Sequence, residues 1–284
     1  SSLSHASVIF DDFYEKGGNA FDTAWIYADG RTERFLGQWV RNRGLRDKIV
    51  LTTKGAHTPL CDPKNLSEQL FESLDRLQTD HTDIYIMHRD NPDIAAGEFV
   101  EVLNEHLRAG RIRIFGGSNW SLARIEEANA YAEANELQGF SLVSNNFSLA
   151  RMVDPVWDGC ISASDPASRD WLKARQMPLL AWSSQARGFF TDRASPTKTS
   201  DKDLVRCWYS EDNFRRQKRA LKLAEAKGVL PINIALAYVL SHPFPVFALF
   251  GPRTLEETRT SLPGLDVKLA AEELKYLNLE TDSV

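Results

Sequence analysis

Ile49-Val50-Leu51-Thr52-Thr53-Lys54 is a short apolar run that ends on a lysine, and a helix-like stretch follows it. Its length and β-branched content suit a buried strand. The same shape recurs at Ala20-Phe21-Asp22, Ile84-Tyr85-Ile86-Met87-His88, Ile112-Arg113-Ile114-Phe115-Gly116-Gly117-Ser118-Asn119, Leu179-Leu180-Ala181-Trp182 and Val246-Phe247-Ala248-Leu249-Phe250-Gly251. Each run closes on a polar or special residue. Strands that alternate with helices imply right-handed crossovers and a parallel sheet. Parallel strands point one way, so their C-terminal ends gather at one rim, which in β/α barrels is where chemistry sits.

Helical periodicity fills the gaps between these runs. Leu66, Leu70, Leu74 and Leu77 form one stripe and predict a helix over 65–77. Similar patterns predict helices over 4–16, with Ser4 as cap and Val8, Phe10, Phe13 and Tyr14 as the apolar face, and over 33–41, 99–109, 122–134, 169–175, 213–227, 232–241, 255–261 and 270–279. A seventh strand is expected over 140–143, and 191–203 reads as a long polar segment. The expected architecture is a (β/α)8 barrel formed by a single domain, residues 1–284. An open doubly wound sheet is the fallback, weakened because no GxGxxG follows the first strand.

The chain has 284 residues, 43% of them hydrophobic and 26% charged, values usual for a globular protein. A net charge of −5 argues against nucleic acid or an anionic membrane surface as partner. Cys61, Cys160 and Cys207 are odd in number and widely spaced, with no metal-ligand spacing. No metal is therefore expected, and a reducing, cytoplasmic compartment fits best. There is no signal peptide and no run of about 18 apolar residues, so no membrane span is expected. The oligomeric state stays open.

The strand ends carry a proton-transfer set. Tyr27 lies on the loop beyond Asp22. A phenol is ordinarily a poor acid, with a pKa near ~10, and a neighbouring ammonium favours its ionised form. Lys54 ends the next strand and supplies that ammonium, Asp22 can hold the lysine, and His88, one strand further, can donate to a carbonyl oxygen. Ser118-Asn119, after Gly116-Gly117, can bond an amide where small residues let a ligand approach the backbone. Trp182 offers a flat face for a ring. Gly251-Pro252-Arg253-Thr254 precedes a helix and reads as a phosphate site; Thr254 with Glu257 also fits a capping box, and both can hold at once.

With these residues assembled, the sequence resembles the aldo-keto reductase family. The resemblance rests on Phe21-Asp22-Thr23-Ala24 with Tyr27 and Gly30, Thr53-Lys54-Gly55, Asp83 to His88, Gly116-Gly117-Ser118-Asn119, Trp182-Ser183-Ser184 with Gly188, and Gly251-Pro252-Arg253-Thr254. It implies an eight-stranded β/α barrel and NADPH as cofactor, bound without a Rossmann domain. It implies catalysis by Asp22, Tyr27, Lys54 and His88. Ser118 and Asn119 would hold the nicotinamide carboxamide and Trp182 would stack on its ring, a place where most members have tyrosine. Ser183 would lie near the pyrophosphate, Gly251, Arg253 and Thr254 at the adenosine 2′-phosphate, and Glu257 at the adenine ribose or base. The chain departs from the family pattern at Ser144-Asn145-Asn146, Ser184-Gln185 and Ser261, and the usual opening hairpin and first strand are missing from it. Substrate contacts are expected from Trp25, Arg89, Asp90, Trp120 and the stretch Arg151 to Asp158, where the aromatic faces of Trp25, Trp120 and Trp157 and the polar grips of Arg89, Asp90 and Asp154 make a mix suited to a sugar or other polyol-like carbonyl compound. The expected activity interconverts a small-molecule aldehyde or ketone and its alcohol, with Tyr27 as proton donor. The alternative is a nucleotide-binding regulatory subunit with little turnover. A hydrolytic barrel would need paired carboxylates or a metal cluster, and Asp22 with Asp90 makes a poor case.

Overall fold

Every run read as a strand is one in the computed structural model, which describes residues 2–284. Two units are distinguished, the first ending at Ser144 and the second running Asn145–Val284. In the first unit the order is α1 (Leu3–Glu15), β1 (Ala20–Asp22), α2 (Arg31–Arg43), β2 (Val50–Gly55), α3 (Pro63–Leu77), β3 (Thr82–Met87), α4 (Ala96–Arg108), β4 (Ile112–Ser118), α5 (Leu122–Ala134) and β5 (Leu142–Ser144). All neighbouring strands pair in parallel, in chain order, with Asp22 opposite Thr52, Lys54 opposite Ile86, Ile86 opposite Gly116 and Ser118 opposite Ser144.

Local chemistry sets the element ends. Asp62 caps α3 by accepting the Asn65 N–H at 2.8 Å, with Pro63 in the first turn. Ser121 caps α5 through the Arg124 N–H at 3.2 Å. The leucine stripe of α3 is buried as its spacing predicts. Helix α1 is capped by Ser2, not Ser4. Phe10 and Phe13 meet Phe21 edge-on, with ring centroids 5.8 and 5.5 Å away, over a core of Phe21, Leu36, Trp39, Val40, Leu51 and Leu77. Val8, expected on that face, is 51% exposed. It lies roughly 160° around the helix from Phe10 at 100° per residue, so it faces away.

The second unit contains α6 (Pro166–Arg175), β6 (Leu179–Ala181), α7 (Lys202–Trp208), α8 (Glu211–Lys227), α9 (Pro231–Leu240), β7 (Val246–Ala248), α10 (Leu255–Ser261) and α11 (Ala271–Leu277). β6 and β7 pair in parallel, Leu179 opposite Val246. Asn146 bridges to both Ser162 and Trp182. Helix α9 is buried from Ile232 to Val239, which explains its unbroken apolar sequence. Helix α7 was not expected, since 191–203 reads as polar coil. Asp201 caps it through the Leu204 N–H at 3.0 Å, and Leu204, Cys207 and Trp208 are buried on one face. The described residues thus hold seven strands. Among them no single helix is long and apolar enough to cross a membrane.

His242 gives this unit a pH dependence. Its ring lies among Phe147, Tyr238 and Phe244, with centroids 4.9, 4.8 and 5.4 Å away, and its Nε2 is buried without a partner. Burial first, and the Arg169 charge second, push its pKa down to about 3. An unfolded histidine titrates near ~6.5. Below that pH the unfolded chain takes up a proton that the folded chain refuses, so stability falls as pH drops. At about pH 5 the loss from this residue is roughly 2 kcal/mol relative to about pH 8. Urea unfolding at the two pH values should show His242→Phe to be less acid-sensitive than the native chain by that amount.

Candidate active site

Side chains alternate along β2, so Thr53 and Lys54 face opposite sides of the sheet. Thr53 faces the helices, where its Oγ1 donates to Glu33 Oε1 of α2 at 2.6 Å. Lys54 faces the other way. Its Nζ donates to Asp22 Oδ2 at 2.5 Å and to the Thr23 carbonyl at 2.9 Å, and lies 3.5 Å from the Tyr27 hydroxyl. The same Nζ is 5.0 Å from the Tyr27 ring centroid. Lys54 is only 3% exposed. Burial alone would drive the lysine to give up its proton, but the Asp22 carboxylate and the Tyr27 oxygen outweigh it and hold the ammonium charged. Burial pushes the Asp22 carboxyl up from its usual range, and the Lys54 charge opposes that rise.

Tyr27 sits on a tight turn. Its N–H donates to the Ala24 carbonyl at 3.1 Å, and its own carbonyl accepts from Gly30 N–H at 3.1 Å and Thr32 Oγ1 at 3.2 Å. Ala28, Asp29 and Gly30 follow in the left-handed region, with φ of 48°, 54° and 76°. Only glycine takes that region without strain. The Trp25 N–H donates to the Lys54 carbonyl at 2.8 Å and so extends the β1–β2 ladder into the loop. Tyr27 is 38% exposed. His88 leaves the end of β3, with its N–H on the Gly55 carbonyl at 2.6 Å. Its ring stands edge-on to Tyr27 at 5.6 Å and to His57 at 5.0 Å. Burial, then the charges of Lys54, His57 and Arg89, hold its pKa well below the usual value. The imidazole is therefore neutral, and its Nδ1 is buried without a partner. Asp22, Tyr27, Lys54 and His88, read from three strand ends, thus come together.

Ser118 and Asn119 end β4 and are buried. The Asn119 amide donates to Ser118 Oγ at 3.2 Å, and its backbone is left-handed, φ 58°. The two glycines before them have a packing cause of their own. A Cβ on Gly116 would lie 2.4 Å from the Leu142 carbonyl oxygen, and one on Gly117 would lie 2.8 Å from the Trp120 ring. Trp120 itself is fully buried, packs on Phe99 and Phe140, and donates its indole N–H to the Arg89 carbonyl at 3.0 Å. It is a core tryptophan that anchors the loop after His88, and the expectation of a substrate contact from it does not hold. Arg89 is also mostly buried, while Trp25 is partly exposed, its indole N–H held by Glu72 at 2.7 Å.

In the second unit a cleft of about 670 Å³ is lined by Ser183, Arg187, Arg193, Gly251, Arg253 and Glu257, among others. Trp182 lies beside it in sequence, its ring centroid 6.3 Å from that of Trp157 and its Nε1 buried without a partner. Two of the donors read as a phosphate site are already engaged. Thr254 Oγ1 accepts the Glu257 N–H at 3.2 Å, and the Glu257 carboxylate accepts the Arg253 N–H at 2.5 Å. Thr254 thus caps α10 as expected, while the Glu257 carboxylate reaches the Arg253 N–H and not that of Thr254. Sequence reading missed His57, which lies just past the end of β2 and was reachable by the same strand-end rule. It also missed Arg187 and Arg193, which sit in irregular backbone with no periodic signal. Among the described residues no cluster of His, Cys, Asp or Glu could hold a metal.

A model of the aldo/keto reductase family matches residues 1–279. The chain belongs to that family, a class of oxidoreductases. An uncharacterized oxidoreductase of Bacillus subtilis, YrpG, is 29% identical over 95% of this chain and 85% of its own length. Norsolorinic acid reductase A of Aspergillus parasiticus is 28% identical over 95% of this chain and 70% of its own. An aldo-keto reductase from Klebsiella pneumoniae, crystallised in complex with NADPH, matches in structure with a TM-score of 0.74 at 24% identity, covering 98% of this chain and 85% of that one. The fold is that of these reductases, the β/α-barrel class expected from sequence.

Breaking the Lys54–Asp22 pair leaves an uncompensated carboxylate in a buried place. Lys54→Met should therefore lower unfolding stability by about 3 kcal/mol, measured by urea denaturation at neutral pH, with Asp22→Asn/Lys54→Met recovering part of the loss.

Proposed function

We propose that this chain is an NADPH-dependent carbonyl reductase that interconverts an aldehyde or ketone and its alcohol, with Tyr27 as the proton donor. The reading rests on one observation above all. The Lys54 ammonium, fixed by Asp22 at 2.5 Å, lies 3.5 Å from the Tyr27 hydroxyl. When bound, NADPH supplies the hydride. As the phenol gives its proton to the carbonyl oxygen, the charge left on Tyr27 develops beside a cation that cannot move away. Asp22 keeps that cation aimed. Neutral His88 has one ring N–H with which to donate to the same oxygen, and the opposite direction uses the same groups in reverse.

The residues present fit the cofactor. Ser118 and Asn119 offer a hydroxyl and an amide at a strand end, matched to a carboxamide. Trp182 has a flat ring with an unpartnered N–H. The cleft of the second unit has Ser183, Arg187, Gly251 and Arg253 on its walls, donors suited to phosphate. Thr254 caps α10 next to Arg253. Glu257, bonded to the Arg253 N–H, would hold that segment instead of reaching for the adenine ribose itself. Trp25 and Arg89 remain the candidate substrate contacts. In this reading residues 1–284 act as one catalytic domain on a small-molecule substrate. Three buried cysteine thiols with no disulfide among them suit a cytoplasmic setting.

The assay follows cofactor absorbance with a panel of aldehydes and ketones. Tyr27→Phe should lose turnover by about 10²- to 10⁴-fold while binding NADPH as the native chain does. Unchanged turnover would remove Tyr27 from the mechanism, and tight NADPH binding with no turnover on any carbonyl would favour a regulatory role. A second measurement addresses the phosphate end. Arg253→Ala should weaken NADPH by about tenfold or more and leave NADH unaffected in fluorescence titration.

A further inference from the structure

Glu33 is a carboxylate with 0% exposure, a placement that demands partners. It has two, Thr53 Oγ1 at 2.6 Å and Arg76 Nη1 of α3 at 3.2 Å. Arg76 does more than neutralise it. Its Nη1 also donates to the Trp25 carbonyl at 3.0 Å, and its Nη2 donates to Glu72 Oε2 at 2.9 Å. That same Glu72 oxygen accepts the Trp25 indole N–H at 2.7 Å, and the guanidinium lies 5.6 Å from the Trp25 ring centroid. At the other end of the turn, a Cβ on Gly30 would lie 2.5 Å from Arg76 Cζ. The guanidinium thus touches the loop on both sides of Tyr27, at Trp25 and at Gly30. Tyr27 needs such support, because more than a third of it is exposed and the residues after it are left-handed.

We infer that Arg76 is a positioning residue for the proton donor: from behind the sheet it clamps the 25–30 turn so that the Tyr27 hydroxyl stays at the Lys54 ammonium. The inference rests on the proposed role of Tyr27. Arg76 touches no reacting atom, so its effect runs through the placement of the phenol. Displacement of about 1 Å at a reacting group costs about 10²-fold in rate. A guanidinium fork is needed, because one planar group serves Glu33, Glu72 and the Trp25 carbonyl together, which a lysine ammonium cannot do in the same geometry.

The test is a double-mutant cycle. Arg76→Met should lower kcat by about 10²-fold with NADPH affinity unchanged, and Arg76→Lys should recover little of it. In a Tyr27→Phe background, Arg76→Met should cost nothing further, because no proton donor remains to be placed. A general loss of structure would instead lower the rate by the same factor in both backgrounds, and that result overturns the inference. So does native kcat in Arg76→Met beside a dead Tyr27→Phe, which leaves the proton-donor reading intact. Native turnover in Tyr27→Phe alone sinks that reading and this inference together. If circular dichroism shows Arg76→Met unfolded, Glu72→Ala decides by the same cycle, since it loosens the clamp on Trp25 while leaving Glu33 paired.

Discussion

A lysine ammonium cannot lie in a protein interior without an anion, and the rest of the first unit is arranged around meeting that demand for Lys54. Asp22 and the Thr23 carbonyl meet it, and both belong to the neighbouring strand and the residue after it. Their reach depends on register. Asp22 pairs with Thr52, so Lys54 lies two residues further along and on the same face. A slip of one residue would turn Lys54 toward the helices and Thr53 toward the phenol. Strand pairing, the ion pair and the placement of the Tyr27 hydroxyl are therefore one construction. The Trp25 N–H on the Lys54 carbonyl carries the ladder into the loop and fixes the same geometry from the backbone.

Consecutive residues of β2 serve two networks on opposite faces. Lys54 reaches the Tyr27 loop from the front, and Thr53 reaches Glu33 and through it Arg76, which grips the loop from behind. Both networks are buried and charged, and each draws its partners from other elements, with Asp22 Oδ1 alone among the carboxylate oxygens left unpartnered in the first. Buried polar groups arranged this way contribute less to net stability than to specifying one geometry. A phenol on an exposed, left-handed turn is held in place by exactly such a frame, not by burying its own ring.

What sequence made legible follows from period. A strand's alternation and direction are visible in Ile49 to Lys54, so a polar residue at the end of each run announces itself, and Asp22, Lys54 and His88 were reached that way. Helix α5 and helix α10 have the expected bounds because Ser121 and Thr254 mark their starts. Where two causes produce one residue type, reading failed. Gly116 and Gly117 read as room for a ligand, and the packing of Leu142 and Trp120 against them was not legible. Trp120 follows a strand end as a contact residue would, yet is core. Helix α7 was hidden because it is only seven residues long and its first two, Lys202 and Asp203, continue the polar run before it. Arg76 lies in the last turn of a helix, where a cation ordinarily faces solvent and complements the helix dipole. Nothing local tells that it points at Glu33.

In the second unit the helix start beside Arg253 is engaged differently from what its sequence suggests. A helix start beside Arg253 invites a reading in which backbone N–H groups and the helix dipole hold a phosphate. Here the Glu257 carboxylate and the Thr254 hydroxyl have taken donors at that start, and the helix they cap is short. The cleft walls are also of mixed sign, since Asp192, Asp201 and Asp203 line it with the arginines, and Arg193 is bound to Asp201 at 2.8 Å. A broad positive field would not arise from such a lining. In the proposed reading, recognition of a phosphate there would come from directed contacts of individual guanidinium groups. Such contacts discriminate by geometry and charge together, so in that reading the cleft would select among anions and not merely attract them.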